Sequence, residues 1–302
     1  MLAHPARGPI ETALRAACGE DVRITGLEPV GGGCSHEALS IHSTRGRFFV
    51  KIDARERGPV FAAEADGLAA IAATRTFRTP AVVACTEDEQ HAFLILEHLD
   101  LHPVQDAAHA TRYGETLAAL HGHQGEQFGW PADNFLGASP QANTPTDNWA
   151  RFVVEQRLRP QFARARANGF IGDLQKQGAR LYERVPALFL DYRPRPSLLH
   201  GDLWHGNAAV LADGTPVAFD PAVHHGDREA DLAMCELFGG FPGAFYAAYR
   251  SAAPLNEGFE QRKQLYSLYH ILNHLNLFGR GYLGEALRLA TRLNDTLGAR
   301  RG

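Results

Sequence analysis

The stretch Leu198–Asn207, LLHGDLWHGN, decides the fold that this sequence predicts. Two apolar residues lead into a polar loop that contains the carboxylate of Asp202 and the carboxamide of Asn207. A second carboxylate, Asp220, follows the apolar run Pro216–Phe219. Carboxylate and amide oxygens are the protein ligands that Mg²⁺ prefers, and it usually binds together with phosphates. The stretch therefore indicates chemistry on a phosphorylated substrate.

The spacing of these three residues predicts a separate role for each. In H-x-D-x-x-x-x-N catalytic loops, the Asp accepts the proton of the substrate hydroxyl and the Asn holds Mg²⁺, while a later Asp binds the bridging metal. We therefore predict Asp202 as the catalytic base and Asn207 and Asp220 as ligands of Mg²⁺. ATP is the cofactor that this arrangement implies.

Residues that can bind ATP precede the loop in the order that a kinase needs. Lys51 ends the apolar strand FFVK, a position from which a lysine reaches the α- and β-phosphates, and Glu64 on the next predicted helix is its candidate partner. The glycines Gly31, Gly32 and Gly33 form a turn whose bare backbone can approach phosphates closely. Backbone groups between Glu97 and Leu99 are candidates for bonding an adenine.

The periodicity predicts an α+β protein of two lobes, and the kinase-type motifs above indicate that these lobes form a protein-kinase-like fold. Residues 1–97 form a small lobe with an antiparallel sheet, and residues 98–302 form a larger, mainly helical lobe. Strands are expected at 22–30, 37–42, 46–52 and 93–96, with a strand-like island over 197–220. Helices are expected at 10–18, 60–73, 113–121, 173–189, 229–238, 260–278 and 284–297, and one more opens at Trp149. The Arg-rich stretch from Arg157 to Arg166 is interpreted as a solvated helix face.

Composition narrows the class of protein. The chain has 302 residues, 45% of them hydrophobic, and a formal net charge of −4, so it lacks the basic excess of a nucleic-acid-binding protein. No apolar run approaches the length of a membrane span, so no membrane partner is expected. The four cysteines form no CxxC pair, which favours a reducing compartment, the cytoplasm.

Longer motifs resemble the fructosamine-3-kinase (ketosamine-3-kinase) family, within the aminoglycoside and choline kinase-like superfamily. Besides HGDLWHGN, the resemblance rests on GGGC, EHL, LGASPQAN, FDPAV, GDREADLAM and LYHILNHLNLFG, which begin at residues 31, 97, 136, 219, 226 and 268. It implies ATP-dependent phosphorylation of the 3-hydroxyl of a ketosamine, which is a sugar joined to a small or protein-bound amine by glycation. The 3-phosphate then falls away, so the implied role is deglycation repair.

The resemblance also implies substrate contacts and a structural role. Trp204 corresponds to a substrate-facing aromatic residue, on which the C–H face of a sugar can pack. We also assign His274 to the substrate site, and Asp231 resembles a helix residue that ties down the catalytic loop. The protein is expected to be a monomer or a homodimer, with Cys34 as a candidate for a disulfide between subunits.

Three other functions compete with this interpretation. One is a kinase of another small alcohol, such as an aminoglycoside, choline or homoserine. The second is a metal-dependent hydrolase whose ligands come from His200, Asp202, His205, Asp220 and His224. The third is a pseudokinase, which the presence of Lys51, Asp202, Asn207 and Asp220 argues against. His270 and His274 have the spacing of a zinc pair but lack the glutamate of H-E-x-x-H, which favours packing or a substrate contact.

Overall fold

A computed structural model describes residues 4–31 and 36–299. The N-terminal part is a five-stranded antiparallel sheet with a helix on each face, and its strand order is β1-β2-β3-β5-β4. In chain order its elements are α1 (Arg7–Cys18), β1 (Ile24–Pro29), β2 (Glu37–Ser43), β3 (Gly46–Ala54), α2 (Gly58–Ala73), β4 (Val82–Glu87) and β5 (His91–Glu97), with a 3₁₀ turn at Arg55–Arg57 before α2.

Both faces of this sheet are buried, and the alternation of side chains divides its residues between two layers. On β3, Phe48, Val50 and Ile52 pack with α1 in one apolar cluster. On β5, Leu94 and Leu96 pack instead with α2 in another. Because successive side chains point to opposite faces, Lys51 lies on the α2 side, away from Val50. The pleat of β3 thus delivers a single lysine to the face that carries the helix with Glu64.

The C-terminal part is mainly helical. Its helices are α3 (Ala107–His121), α4 (Trp149–Phe152), α5 (Arg159–Ala167), α6 (Asp173–Arg184), α7 (Glu229–Leu237), α8 (Gly243–Ala252), α9 (Phe259–Phe278) and α10 (Leu283–Ala299). A π-helical segment, Val153–Leu158, joins α4 to α5, and 3₁₀ turns lie at Val185–Phe189, His205–Asn207 and Arg280–Tyr282. Short antiparallel pairs are formed by β6 (Asn134–Leu136) with β7 (Ser139–Gln141), β8 (Ser197–Leu199) with β11 (His224–Gly226), and β9 (Ala208–Val210) with β10 (Pro216–Ala218).

Two large apolar clusters support this part. One joins α4, α5 and α6 to α9 and α10, and the other joins α3 to α8 and to the short strands. Helices α3 and α8 cross closely at Gly114, where a Cβ atom would lie 2.3 Å from the carbonyl oxygen of Phe245. Only glycine allows that approach, so the crossing is specified by one residue.

The order of elements follows the sequence prediction, and the exceptions have physical causes. Strand β4 was not predicted because it is a largely exposed edge strand without an alternating apolar pattern. Helix α8 and the β6–β7 hairpin were also not predicted. The interpretation of the Arg-rich stretch was wrong for Arg157, which is buried with its guanidinium 4.5 Å from the ring centre of Phe152. Strand β5 ends at Glu97, and the domain division at 97/98 stays a prediction.

No helix among the described residues is long and apolar enough to cross a membrane.

Candidate active site

A cleft of about 1110 Å³ lies where the sheet meets the helical part. It brings together ten of the twelve predicted site residues: Gly31, Lys51, Glu64, Glu97, Leu99, Asp202, Trp204, Asn207, Asp220 and His274. The other two, Gly32 and Gly33, lie outside the described residues, as does Cys34. Residues that are distant in the sequence thus line one cavity, which is how a single site is assembled from two parts of a chain.

Lys51 is the junction between the two parts of the protein. Its Nζ lies 2.6 Å from Oε1 of Glu64 and 2.5 Å from Oδ1 of Asp220, and the side chain is only 3% exposed. Burial disfavours the charge on the lysine, but the two carboxylates outweigh it and raise the pKa of Lys51. Burial raises the pKa of Glu64 to about 7 against the pull of Lys51. Partial desolvation opposes ionisation of Asp220, but the lysine charge lowers its pKa and keeps it ionised.

Helix α2 reaches this junction through close packing on the helical part. A Cβ on Gly67 would lie 2.9 Å from Cγ of Pro221, the residue that follows Asp220. One residue earlier, Asp66 accepts a hydrogen bond of 2.7 Å from Nε1 of Trp130. The α2 turn that carries Glu64 is therefore held directly against the segment that carries Asp220. The sequence analysis did not single out Gly67, although a glycine within an Ala-rich helix is a signal of close packing.

The catalytic-loop candidates are adjacent and are linked by hydrogen bonds. Nδ2 of Asn207 donates to the backbone oxygen of Asp202 at 2.9 Å and to its carboxylate at 3.3 Å. Burial raises the pKa of Asp202 to about 7, with further contributions from the negative charges of Asp220 and Asp231. A carboxylate with a pKa near neutrality is well suited to accept a proton at physiological pH.

A buried carboxylate, Asp231, holds the start of this loop. It accepts hydrogen bonds from the backbone N–H groups of His200 and Gly201 at 2.8 and 2.9 Å, and Nε2 of His121 donates to it at 3.1 Å. Gly201 has φ +83°, and a Cβ there would lie 2.0 Å from the backbone oxygen of Ala222. Asp231 therefore has the tethering role that the sequence resemblance implied.

The donor set fits Mg²⁺. Because Nδ2 of Asn207 is used by Asp202, Oδ1 is the end of the amide that is left for a cation. Asp220 adds an ionised oxygen, and its side chain is 40% exposed towards the cleft. Its backbone has φ +56°, a conformation that costs a non-glycine residue about 1–3 kcal/mol and is found most often at functional sites.

The geometry does not support a transition-metal hydrolase. Within the described residues, no three His, Cys, Asp or Glu side chains are placed to hold a metal together. His200 uses both ring nitrogens: Nε2 donates to the backbone oxygen of Phe219 at 3.1 Å, and Nδ1 accepts from the backbone N–H of Asp202 at 3.3 Å. Burial lowers the pKa of His224, whose Nδ1 contacts the backbone oxygen of Ala222.

The end of the cleft beside β5 is apolar enough for a purine. Phe49, Leu96, Leu99 and Phe219 contribute to its lining. The carboxylate of Glu97 is bound by the guanidinium of Arg78 and by the backbone N–H of Ala81. The predicted adenine contact of Glu97 can therefore come only from its backbone.

The opposite end of the cleft carries aromatic rings. Trp204 and His274 lie there, as predicted, and Phe238 joins them, with ring centres 6.1 Å from Trp204 and 4.5 Å from His274. Phe278 and Tyr282 complete the group, 5.4 and 5.2 Å from His274. The sequence analysis missed these three rings because the chain elements that carry them meet only in the folded protein.

With this geometry established, comparisons with known proteins define the class. The fructosamine kinase family model matches residues 8–295. A probable ketoamine kinase of Synechocystis sp. is 45% identical over 275 residues, which are 90% of this chain and 91% of that protein. The ketosamine-3-kinase of Mus musculus is 36% identical over 313 residues, 94% of this chain and all of that protein.

Solved structures agree with the predicted fold. A crystal structure assigned as a fructosamine-3-kinase of Haemophilus somnus has a TM-score of 0.87 and 31% identity, covering 94% of this chain and 96% of that one. An aminoglycoside phosphotransferase, APH(4)-Ia, solved with ADP and hygromycin B, has a TM-score of 0.66 at 15% identity, covering 95% and 97%. The protein has the kinase-like fold of small-molecule phosphotransferases, and the prediction of that fold is confirmed. The chain belongs to the fructosamine kinase family.

Proposed function

We propose that the protein transfers the γ-phosphoryl group of ATP to the 3-hydroxyl of a ketosamine, a fructosamine, ribulosamine or erythrulosamine adduct of an amine or of lysine. The 3-phosphate is then lost from the sugar as inorganic phosphate, and hydrolysis of the remaining adduct restores the amine. Family membership supports the reaction class, since relatives at 36–45% identity are named as ketoamine or ketosamine kinases. The observation that carries the proposal is the position of Lys51, bonded to both Glu64 and Asp220 at the cleft that Asp202 also lines.

Each of the predicted polar site residues has its own task in this reaction. Asp202 orients the sugar hydroxyl and takes its proton, while the oxygen of that hydroxyl forms a bond to the γ-phosphorus and the bond to ADP breaks. Lys51 binds the α- and β-phosphates, and Glu64 keeps its ammonium group aimed at them. Asn207 and Asp220 would hold Mg²⁺, which neutralises phosphate charge when it is bound. Backbone groups of Glu97 and Leu99 bond the adenine. Gly31 stays a predicted phosphate contact, as do Gly32 and Gly33, which lie outside the described residues.

Trp204 and His274 form the substrate side of this site. The indole of Trp204 is half-buried beside the catalytic loop, so the C–H face of a sugar can stack on it while its 3-hydroxyl reaches Asp202. Burial lowers the pKa of His274, which favours the neutral ring. Its Nδ1 donates to the backbone oxygen of His270 at 2.9 Å, so Nε2 is left as an acceptor.

The direct test is ATP consumption in the presence of Mg²⁺ with fructosyl-, ribulosyl- and erythrulosyl-lysine, followed by identification of the phosphorylated position. We expect a sugar 3-phosphate and the release of free lysine with time. Aminoglycosides, choline and homoserine are the competing acceptors. Turnover of one of these without turnover of any ketosamine would contradict the proposal.

We further propose that the protein works in the cytoplasm on free or protein-bound ketosamines, without a nucleic-acid or membrane partner. The described cysteines Cys18, Cys85 and Cys235 are free thiols, which is consistent with a reducing compartment. The predicted monomer or Cys34-linked homodimer can be tested by measuring the mass of the protein in solution with and without reductant.

A further inference from the structure

The aromatic end of the cleft contains more ring surface than a sugar needs. We define the aromatic wall as Trp204, Phe238, His274, Phe278 and Tyr282. All five side chains line the same cleft as Asp202, and Phe278 is 52% exposed. Exposure of a large apolar ring to water at the mouth of a cleft is unfavourable in free energy, and exposed apolar patches of this kind often mark a binding surface.

A ketosamine brings a positive charge to this place. Its amine nitrogen is protonated at neutral pH and lies only a few bonds from the 3-hydroxyl. With that hydroxyl on Asp202 and the sugar stacked on Trp204, the nitrogen and its carrier remain in the cleft that Phe238, His274, Phe278 and Tyr282 also line. The wall is therefore the surface that the ammonium group meets.

The carboxylates of the cleft leave no ion-pair partner for this charge. Within the described residues, the acidic side chains of the lining are Asp53, Glu64, Glu97, Asp202 and Asp220. Four of them are paired: Glu64 and Asp220 with Lys51, Glu97 with Arg78, and Asp53 with Arg57. The fifth, Asp202, is required by the hydroxyl. An ammonium group in this cleft must be stabilised by neutral groups.

The wall supplies such groups. An aromatic face attracts a cation through its quadrupole, and the attraction grows as water is excluded. The hydrogen bond from Nδ1 of His274 to His270 fixes the tautomer that presents Nε2 as an acceptor. One N–H of the ammonium can therefore bond to His274 while its methylene neighbours face the rings of Phe238, Phe278 and Tyr282.

From this juxtaposition we propose that the aromatic wall is the subsite for the ammonium group and carrier of the substrate, and that Phe278 determines the preference for charged over uncharged adducts. The inference rests on the proposed function and adds to it the way in which the amine is recognised. Phe278 contributes because its face is the most open to the cleft mouth, and Tyr282 supports its orientation at a ring distance of 6.3 Å.

The test compares two substrates that differ at the amine nitrogen: a fructosamine with a protonated secondary amine, and the same molecule N-acetylated to a neutral amide. The variants are Phe278→Leu, which keeps an apolar side chain but removes the ring, and Phe278→Tyr, which keeps the ring face. We expect Phe278→Leu to lower the ratio of kcat/KM values, charged over neutral, by about three- to tenfold, the effect of losing one partly desolvated ring. We expect the ratio for Phe278→Tyr to stay within about twofold of the parent ratio.

An unchanged ratio in Phe278→Leu, with both substrates losing equally, would overturn the inference and leave the proposed function intact. A parent enzyme that favours the neutral amide would overturn it as well. Absence of turnover of any ketosamine by the unmodified protein would instead reject the proposed function, and the inference with it. Because Phe278 is half-exposed, its replacement should disturb the fold little. A melting curve of each variant checks this and separates a folding defect from a loss of substrate recognition.

Discussion

Replacing Asp202 by Asn should abolish turnover and make the protein more stable. Asn has the size of Asp, and its side-chain oxygen can still accept the hydrogen bond from Nδ2 of Asn207. The variant lacks the carboxylate that accepts the proton, so kcat should fall by about 10²–10⁴, the usual contribution of a general base. It also lacks a negative charge that burial and the nearby Asp220 and Asp231 disfavour.

The gain in stability follows from the pKa of Asp202. A rise from the ordinary 3.8 to about 7 corresponds to at most about 4 kcal/mol of destabilisation by the ionised carboxylate in the fold. The folded state holds the proton more tightly than the unfolded state, so this penalty is absent below about pH 4. It grows as the pH rises from about 4 to 7 and is complete above about 7. The gain in stability of Asp202→Asn over the parent should increase with pH over the same range and raise Tm by a few degrees at pH 8.

The assay is thermal and urea unfolding of both proteins at pH 5, 6, 7 and 8, without nucleotide and in the presence of EDTA. Asp295→Asn is the matched control, since Asp295 is an exposed acid on α10 and its replacement should change stability little at any pH. ADP binding, measured separately, verifies that the cleft of Asp202→Asn is formed. Equal stability of Asp202→Asn and the parent at pH 8, or kcat within tenfold of the parent, would refute the reasoning.

Three further predictions concern the same framework. Lys51→Met should lower kcat/KM for ATP by about 10²–10³, because the phosphates lose a buried positive partner. Steady-state kinetics at a saturating sugar concentration measures this loss. A loss of less than tenfold would argue against phosphate binding by Lys51. The parent kcat/KM should fall about tenfold per pH unit below about 7 and be level above it, since Asp202 acts in its ionised form; a flat profile from pH 5.5 to 8 would contradict that role. Gly114→Ala should lower the free energy of unfolding, measured with urea, by about 1–3 kcal/mol or more. The control Gly8→Ala should not, because a Cβ there meets nothing within 4 Å. Equal unfolding midpoints for the two variants would show that α3 and α8 can move apart at no cost in stability.

Much of the candidate site could be predicted because its polar residues stand at fixed spacings along the chain. Asp202 and Asn207 belong to one short loop, so their adjacency follows from local geometry alone. Lys51 and Glu64 required one further step: a lysine near the end of a strand, and a glutamate on the helix that covers the same face of the sheet. The bond from Lys51 to Asp220 joins residues 169 positions apart and was not predicted, because the order of motifs indicates only that both residues belong to one site.

The aromatic wall could be predicted only in part: Trp204 and His274 were assigned to the substrate site, but Phe238, Phe278 and Tyr282 were not. Its rings come from the catalytic loop, the residue that caps α7, the last turns of α9 and the 3₁₀ turn that follows α9. His274, Phe278 and Tyr282 follow one another at intervals of four residues, but no sequence period relates them to Trp204 or Phe238, because that proximity depends on how α7 and α9 pack. The burial of Arg157 was missed for a related reason. The π-helical segment Val153–Leu158 widens the turn and changes which side chains face the core, and a pattern based on 3.6 residues per turn does not detect such a change.

The contrast between two carboxylates of the catalytic loop region is the strongest physical argument for their roles. Burial opposes ionisation of both Asp231 and Asp202. For Asp231, the N–H groups of His121, His200 and Gly201 outweigh burial and lower the pKa, so it remains a fixed anion that orients the loop. Among the described residues, Asp202 has only the amide of Asn207 as a donor, so burial prevails and its pKa rises to about 7. Where the environment makes the pKa values of two neighbouring carboxylates differ in this way, it distinguishes the group that exchanges a proton from the group that does not. We therefore expect the proton of the sugar hydroxyl to go to Asp202, with Asp231 keeping Asp202 in place.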